Sequence, residues 1–332
     1  MTQPFYICIR LTIMGILAML PLLRINAQEK KSALLQRVDS LLGKNYNKGD
    51  FDTAYITRPQ TKWTIAGRLN VSGQKIESEG LENGQHFKSE MRADYKSTLS
   101  IGVSYLGFSL NLALNPAKLM GKYHDYELNI NSYGKRFGFD FIYQDAHNFT
   151  GWHEMEGMPR MTLPANMLSV KTLNFNVYYA LNHRRFSYPA AFSQSYIQRR
   201  SAGSFLLALS GQGQHGTYSG EQEMQFKMTN IGIGAGYGYN YVPGKGWLLH
   251  ISALPTFIFY SHTSLTFADS RVPLHYHFPE VIITSRGAVV RQSRKTFYGM
   301  SMVFNFTNIG NEKNLAVHNI KWLARAFYGF RF

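Results

Sequence analysis

The chain has 332 residues, 45% hydrophobic and 14% aromatic, and carries a net charge of +15. Mean hydropathy is only −0.22, and past the N-terminus no apolar run approaches the roughly 18 residues of a spanning helix, which argues against a helical membrane protein. The only cysteine is Cys8, so the rest of the chain has no residue for disulfides, thiol catalysis, cysteine-bound metal or a lipoprotein anchor.

In chain order, the first element reads as a secretory signal. Arg10 is the one charge before the apolar stretch Leu11 to Leu23, which is long enough for a signal core and too short to span a bilayer. Cleavage is expected after Ala27, giving a signal peptide over 1–27. Leu34, Leu35, Val38, Leu41 and Leu42 then recur at helical spacing, so a short amphipathic helix is expected over about Ser32 to Leu42, stopped at Gly43. A polar connector, Asn45 to Gln60, completes a periplasmic N-terminal segment over 28–60.

From Lys62 onward the period is two. Trp63, Ile65, Leu69 and Val71 alternate with Thr64, Ala66, Arg68 and Asn70. Leu99, Ile101, Val103 and Tyr105 follow the same rule before a Leu106-Gly107 turn, and the runs at Phe108–Leu114, Tyr126–Ile130, Phe137–Tyr143 and Leu173–Leu181 repeat it. The run Ile231 to Tyr241 sets Ile, Ala and Tyr against Gly232, Gly234, Gly236 and Gly238, a face that leaves room inside a barrel for another element or for solvent. The last strand puts Ile320, Trp322, Ala324, Ala326, Tyr328, Phe330 and Phe332 on one face and Lys321, Arg325 and Arg331 on the other.

Trp63 and Trp247 open upward strands, and Tyr239, Tyr241, Phe330 and Phe332 close downward ones. All of them fall at one end, as an aromatic girdle does. The pattern predicts an all-β protein: a transmembrane antiparallel up-and-down barrel over 61–332, of about 12 strands (alternatives 10 or 14), in the outer membrane. Eleven strands are plain; a twelfth is expected near Val281 to Val290, with a strand in Phe186 to Gln198 as the alternative. Long external loops are expected near 73–92, 147–168 and 263–279.

Three stretches carry a family resemblance: Asp52-Thr53-Ala54-Tyr55-Ile56, Arg185 to Phe192, and Gln198 to Phe205. They resemble domain of unknown function family 4421, from about Gly49 to Phe332. The resemblance implies a Bacteroidetes outer-membrane barrel, and it implies no activity and no catalytic residues.

Candidate chemistry is sparse. Membrane-embedded hydrolases and acyltransferases need a nucleophile, a base and an acid. His147, His153 and Glu154 supply imidazoles and a carboxylate without an HExxH spacing, and a solvated loop is the plainer reading. His275 and His277 share one face of an extended segment with no third ligand beside them, so no metal site and no cofactor is expected. Arg184, Arg185, Arg199 and Arg200 bracket a long aromatic loop over 183–199 that could fold into the lumen as a constriction. Arg68, Lys321, Arg325 and Arg331 fall on inner faces with Glu127 and Asp140, where they line either an anion-preferring passage or a salt-bridged plug.

The expected role is therefore a non-enzymatic barrel, either a narrow passage for small solutes or a structural barrel. The alternatives are a lipid-modifying enzyme and a scaffold in a cell-surface assembly. Expected partners are outer-membrane lipid, lipopolysaccharide and small anionic solutes. Export argues against nucleic acid.

Overall fold

The computed structural model describes residues 37, 40, 43 and 50–332, apart from 83, 106–107, 115–125, 166, 220–222, 268–269, 275–279 and 312–314. The chain divides into two units, Met1–Gly49 and Asp50–Phe332. In the first, Arg37, Ser40 and Gly43 are helical. The signal peptide, most of the expected 32–42 helix, the 106–107 turn and both His275 and His277 lie outside the described residues.

The second unit is a succession of antiparallel strands. They are β1 (Ile56–Thr57), β2 (Trp63–Glu82), β3 (Gln85–Ala93), β4 (Lys96–Tyr105), β5 (Phe108–Leu114), β6 (Tyr126–Tyr133), β7 (Phe137–Ala146), β8 (Phe149–Met155), β9 (Met161–Leu163) and β10 (Leu168–Ala180). A short helix α1 (Tyr188–Phe192) precedes β11 (Ile197–Gln198), β12 (Ala202–Ser219), β13 (Glu223–Gly244), β14 (Trp247–Phe267), β15 (Ser270–Leu274), β16 (Val281–Gln292), β17 (Thr296–Asn311) and β18 (Leu315–Arg331).

One hydrogen-bonded path runs β5-β4-β2-β18-β17-β16-β14-β13-β12-β10-β7-β6. The first and last long strands are therefore neighbours. Trp63 N–H donates to Phe332 O at 3.0 Å, and Phe332 N–H donates back to Trp63 O at 3.1 Å. Side chains also meet across the concave side: Arg286 of β16 pairs with Asp140 of β7, and Lys321 of β18 with Gln144 of β7. The sheet is curled around an interior.

Its burial pattern is inside out. Ile251 is 70% exposed, whereas His250 and Ser252 on either side of it are 4% and 3% exposed. Leu69, Leu99, Ile101, Phe205, Ile233, Phe259 and Met300 are exposed in the same way, while Arg68, Asn70, Gln144, Asn230 and Thr256 are buried. A water-soluble sheet buries its apolar face and exposes the polar one. A strand that meets hydrocarbon outside and a wet or filled lumen inside does the reverse.

The aromatic belt gathers at the end of the barrel that holds Trp63 and Phe332, here called the proximal end. Trp63 lies 4.5 Å from Tyr105, ring centre to ring centre, and Trp247, Tyr298 and Tyr328 follow one another at 6.3 Å each. Apart from the long 181–201 connection, the described proximal turns are short. The β13–β14 turn needs Gly244 and Gly246 at φ 109° and 77°.

Three regions differ from the sequence reading. The stretches expected as loops near 73–92, 147–168 and 263–279 hold strands: β2 runs on to Glu82 and pairs with β3, which pairs with β8, and β14 pairs with β15. A barrel strand needs only about 9–11 residues to cross hydrocarbon, and β2, with 20 residues, continues well past that. Val281–Gln292 is a barrel strand, and Phe186 to Gln198 is not. Of the four alternating glycines, only Gly238 lies against the 186–196 segment. A Cβ there would sit 3.0 Å from the Phe186 ring, whereas at Gly232 it would meet Phe257 O and Thr256 of the next strand at 2.9 Å. The β13–β14 ladder also skips Ala235 and Gly236 opposite Leu254 and Pro255, where proline has no N–H to give.

The inside-out pattern gives a direct test. Ala326 is exposed on β18 between Leu69 and Met300, both outward-facing. Ala326→Arg should cost roughly 2–4 kcal/mol of stability in lipid, because a cation is moved into hydrocarbon. Arg325→Ala, one residue away on the inner face, should fold into lipid vesicles in far better yield. Equal yields would contradict the assignment of faces.

Candidate functional site

The proximal end of the lumen is filled by the segment between β10 and β12. Phe186, Tyr188, Ala190, Ala191, Phe192, Gln194 and Tyr196 are all buried. The local sequence explains the turn-in. Ser187 caps α1 by accepting from Ala190 N–H at 3.3 Å, and Pro189 starts the helix. Ser193 ends it, and Gln194 takes φ 55°, reversing the chain.

Polar side chains on the inner faces of six barrel strands hold this plug. From β13, Asn240 donates to Ser187 O at 2.9 Å and to Gln198 Oε1 at 3.0 Å. From β14, His250 Nδ1 lies 2.7 Å from Asn240 Oδ1, and its Nε2 lies 3.0 Å from Ser252 Oγ. Ser252 Oγ is in turn 2.8 Å from the Tyr188 hydroxyl. From β16, Arg286 donates to the Tyr188 hydroxyl at 3.2 Å, and Gln292 donates to Ala190 O at 2.8 Å. From β18, Arg331 donates to Gln194 O and to Gln292 Oε1, both at 2.9 Å, and lies over Phe297. The rings of Tyr178 on β10 and Tyr133 on β6 lie 4.6 Å and 6.3 Å from that of Tyr188. Tyr133 also donates to Asp140, the partner of Arg286.

Gln198 is the node that ties the plug to the lead-in strand. Its Oε1 accepts from Ser187 N–H at 3.0 Å, and its Nε2 donates to the carbonyls of Arg185 at 2.6 Å and Arg200 at 2.9 Å. The two-residue strands β1 and β11 pair Ile56 with Gln198. The stretches beginning at Asp52, Arg185 and Gln198 therefore build one structure.

The basic residues separate into two groups. Arg184 and Arg185 have side chains 70% and 56% exposed, close to Asp50 and Asp52 respectively, and Arg199 and Arg200 are also exposed. These four stand at the rim; the buried stretch between them mixes apolar rings with the polar Ser187, Ser193, Gln194, Ser195 and Gln198. Arg68, Lys321, Arg325 and Arg331 point into the lumen. Arg331 grips the plug, while Arg68 and Arg325 stand further in, beyond Tyr133. Beyond them a polar cavity of about 40 Å³ is lined by Gln74, Asn174, Asn176, Gln212, Asn305 and Lys321, among others.

The histidine-rich stretch has a different layout. His147 Nε2 is 3.0 Å from Asp145 Oδ1, the ring of His153 stacks on Phe87 at 5.7 Å, and Glu154 accepts from Arg160 at 2.8 Å and 3.0 Å. Each of the three thus has its own partner. Among the described residues, no three of His, Cys, Asp and Glu cluster as metal ligands would. His250, Ser252, Asn240 and Gln292 were not singled out from sequence. The available signal was a lone polar residue inside an apolar alternation, as in Leu249-His250-Ile251.

The lead-in segment is held by charge. Asp50 accepts from Arg136, with His183 at 3.5 Å. The Arg136 hydrogen bond holds the Asp50 carboxyl below the ordinary value of 3.8.

These features define a class: a membrane-type β-barrel with an apolar outer belt and a plug in its lumen. The chain belongs to the family described as Domain of unknown function (DUF4421), whose model matches residues 50–332. No curated protein matches it. Among solved structures, the outer membrane protease OmpT from Escherichia coli aligns at 8% identity and TM-score 0.46, over 82% of this chain and 97% of that one. The outer membrane protein OprG from Pseudomonas aeruginosa aligns at 10% identity and TM-score 0.29, over 85% and 99%. The beta domain of the Bordetella autotransporter BrkA aligns at 10% identity and TM-score 0.33, over 82% and 100%.

Two outcomes follow for the plug. Gln198→Ala strands a buried N–H and several carbonyls, and each buried group left unpaired costs about 1–3 kcal/mol. It should lower the unfolding midpoint in detergent more than Arg200→Ala does. A carboxyl whose value is depressed on folding adds stability above its ordinary value and loses it as pH falls. The stability advantage of wild type over Asp50→Asn should therefore be present at neutral pH and shrink below pH 3.8. An advantage independent of pH would count against the Asp50–Arg136 clasp.

Proposed function

We propose that this protein is an exported outer-membrane barrel that stands closed at its proximal end, a structural or solute-holding barrel in place of an open passage. The observation that carries this reading is the buried plug at 186–196, gripped from six strands. An apolar element wedged into the lumen opposes the flow of hydrated ions. The outward belt of Leu, Ile, Phe and Met supports residence in a bilayer, and the proximal aromatic girdle supports a periplasmic position for that end. The 1–27 signal and the 28–60 periplasmic segment fit the same route. Anionic lipid and lipopolysaccharide phosphates are the natural contacts of so basic a chain.

Planar bilayers test the reading. The wild-type barrel should stay silent at several voltages. A variant with Tyr188–Gln194 replaced by a Gly-Ser linker should show discrete conductance. Steady channels from the wild type would overturn the proposal.

A further inference from the structure

Among the described residues, neither of the buried cations Arg68 and Arg325 has a carboxylate within ion-pair distance. Phe327 lies opposite Arg68 and Asn70 opposite Arg325, so the two arginines are diagonal neighbours on the inner face of β2 and β18. Such neighbours stand roughly 7–8 Å apart, and somewhat less at Cβ. Arg68 is 5% exposed, and its Nε and Nη1 have no hydrogen-bond partner. Arg325 is close enough to repel it. Asn70 accepts from Arg325 Nε at 2.7 Å and is itself fixed by donating to Ser100 Oγ and Thr98 Oγ1, both at 3.1 Å. Asn70 thus aims the guanidinium without supplying charge. Asp140, the carboxylate in the same part of the lumen, is taken by Arg286 and Tyr133. Glu127, placed opposite Gln144 by register, is level with Lys321, four residues further along.

Two buried guanidiniums on one face, one with unused donors, form an incomplete site. Burying a cation is costly unless it is paired and hydrogen-bonded. Guanidinium forks match the geometry of oxyanions, and two of them balance a dianion. We propose that Arg68 and Arg325 bind a small tetrahedral oxyanion of the phosphate class, which reaches them through the amide-lined cavity beside Lys321. This deepens the closed-barrel reading and rests on it: the plug makes that part of the lumen a blind pocket.

The test is thermal unfolding of the detergent-solubilised full barrel at constant ionic strength, with chloride replaced stepwise by inorganic phosphate. The wild-type midpoint should rise saturably with phosphate. Arg68→Gln should weaken the apparent affinity at least about tenfold, because charge-assisted hydrogen bonds are lost. In phosphate-free buffer the same variant should melt above wild type, since the repulsion is gone; a merely structural arginine would give a lower midpoint. Arg200→Gln, at the exposed rim, should behave as wild type. Equal midpoints in phosphate and chloride would overturn the proposal, and so would an undiminished shift in Arg68→Gln. Stabilisation by lipid A micelles with inorganic phosphate inert would also overturn it, by assigning the effect to a head group at the surface. A conducting wild type with an intact phosphate shift would leave the anion site standing and remove only the closed plug.

Discussion

Every barrel strand in this molecule must satisfy two solvents at once. A period of two sends neighbouring side chains to opposite faces, so hydrocarbon outside and lumen inside are served by alternate residues. Ile251 can face lipid only because His250 and Ser252 face inward. The consequence falls on the interior. Polar groups turned away from lipid need partners, and backbone and side chains buried there cost free energy if left unpaired. The plug is the answer at the proximal end.

The polar groups of the plug form one connected chain. It runs from Gln198 through Asn240, His250 and Ser252 to the Tyr188 hydroxyl, then through Arg286 to Asp140 and Tyr133. It crosses the lumen from β13 to β7. Linked hydrogen bonds in a low-dielectric interior strengthen one another. The buried Arg286–Asp140 pair adds little net stability over an apolar pair of the same volume, but removing one partner leaves a buried charge. Its effect is therefore on specificity: it fixes which strands face each other across the interior and seats Tyr188 between them. The apolar part of the plug, Phe186, Tyr188 and Phe192, packs against the same wall with ring separations of 5.0–6.0 Å to His250.

The barrel was legible in the sequence because alternation is a local signal. The final strand, with Trp322, Ala324, Ala326 and Tyr328 against Lys321 and Arg325, declares both faces by itself. The distal extensions were less legible. At Lys75 to Glu79 the outward face carries Lys75, Glu77 and Glu79 in place of apolar residues, so the apolar-out alternation that marks a membrane strand ends although pairing with β3 continues. The 183–199 segment is marked in the sequence by its length and its arginines. Sequence alone did not separate the rim arginines from the buried Tyr188-Pro189-Ala190-Ala191-Phe192 between them. A five-residue helix is too short to show a period, and its environment is set by strands far away in the chain. The polar anchors were hidden for the same reason: the hydrogen bond between Gln292 and Ala190 spans 102 residues.

The charge distribution follows from the same division of space. Rim arginines such as Arg184 and Arg185 remain solvated beside Asp50 and Asp52, where such pairs contribute little. Arg331 donates to the plug carbonyl of Gln194, to Ser293 O and to Gln292 Oε1. Arg68 keeps two buried guanidinium nitrogens, Nε and Nη1, without a hydrogen-bond partner. A barrel that only needed filling could place an amide or a leucine there at less cost. Keeping a cation at that position, beside a second one steered by Asn70, makes sense when something negative completes the site. The plug contributes to the same end by separating that pair from the proximal solvent, so that an ion held there is reached from the distal side.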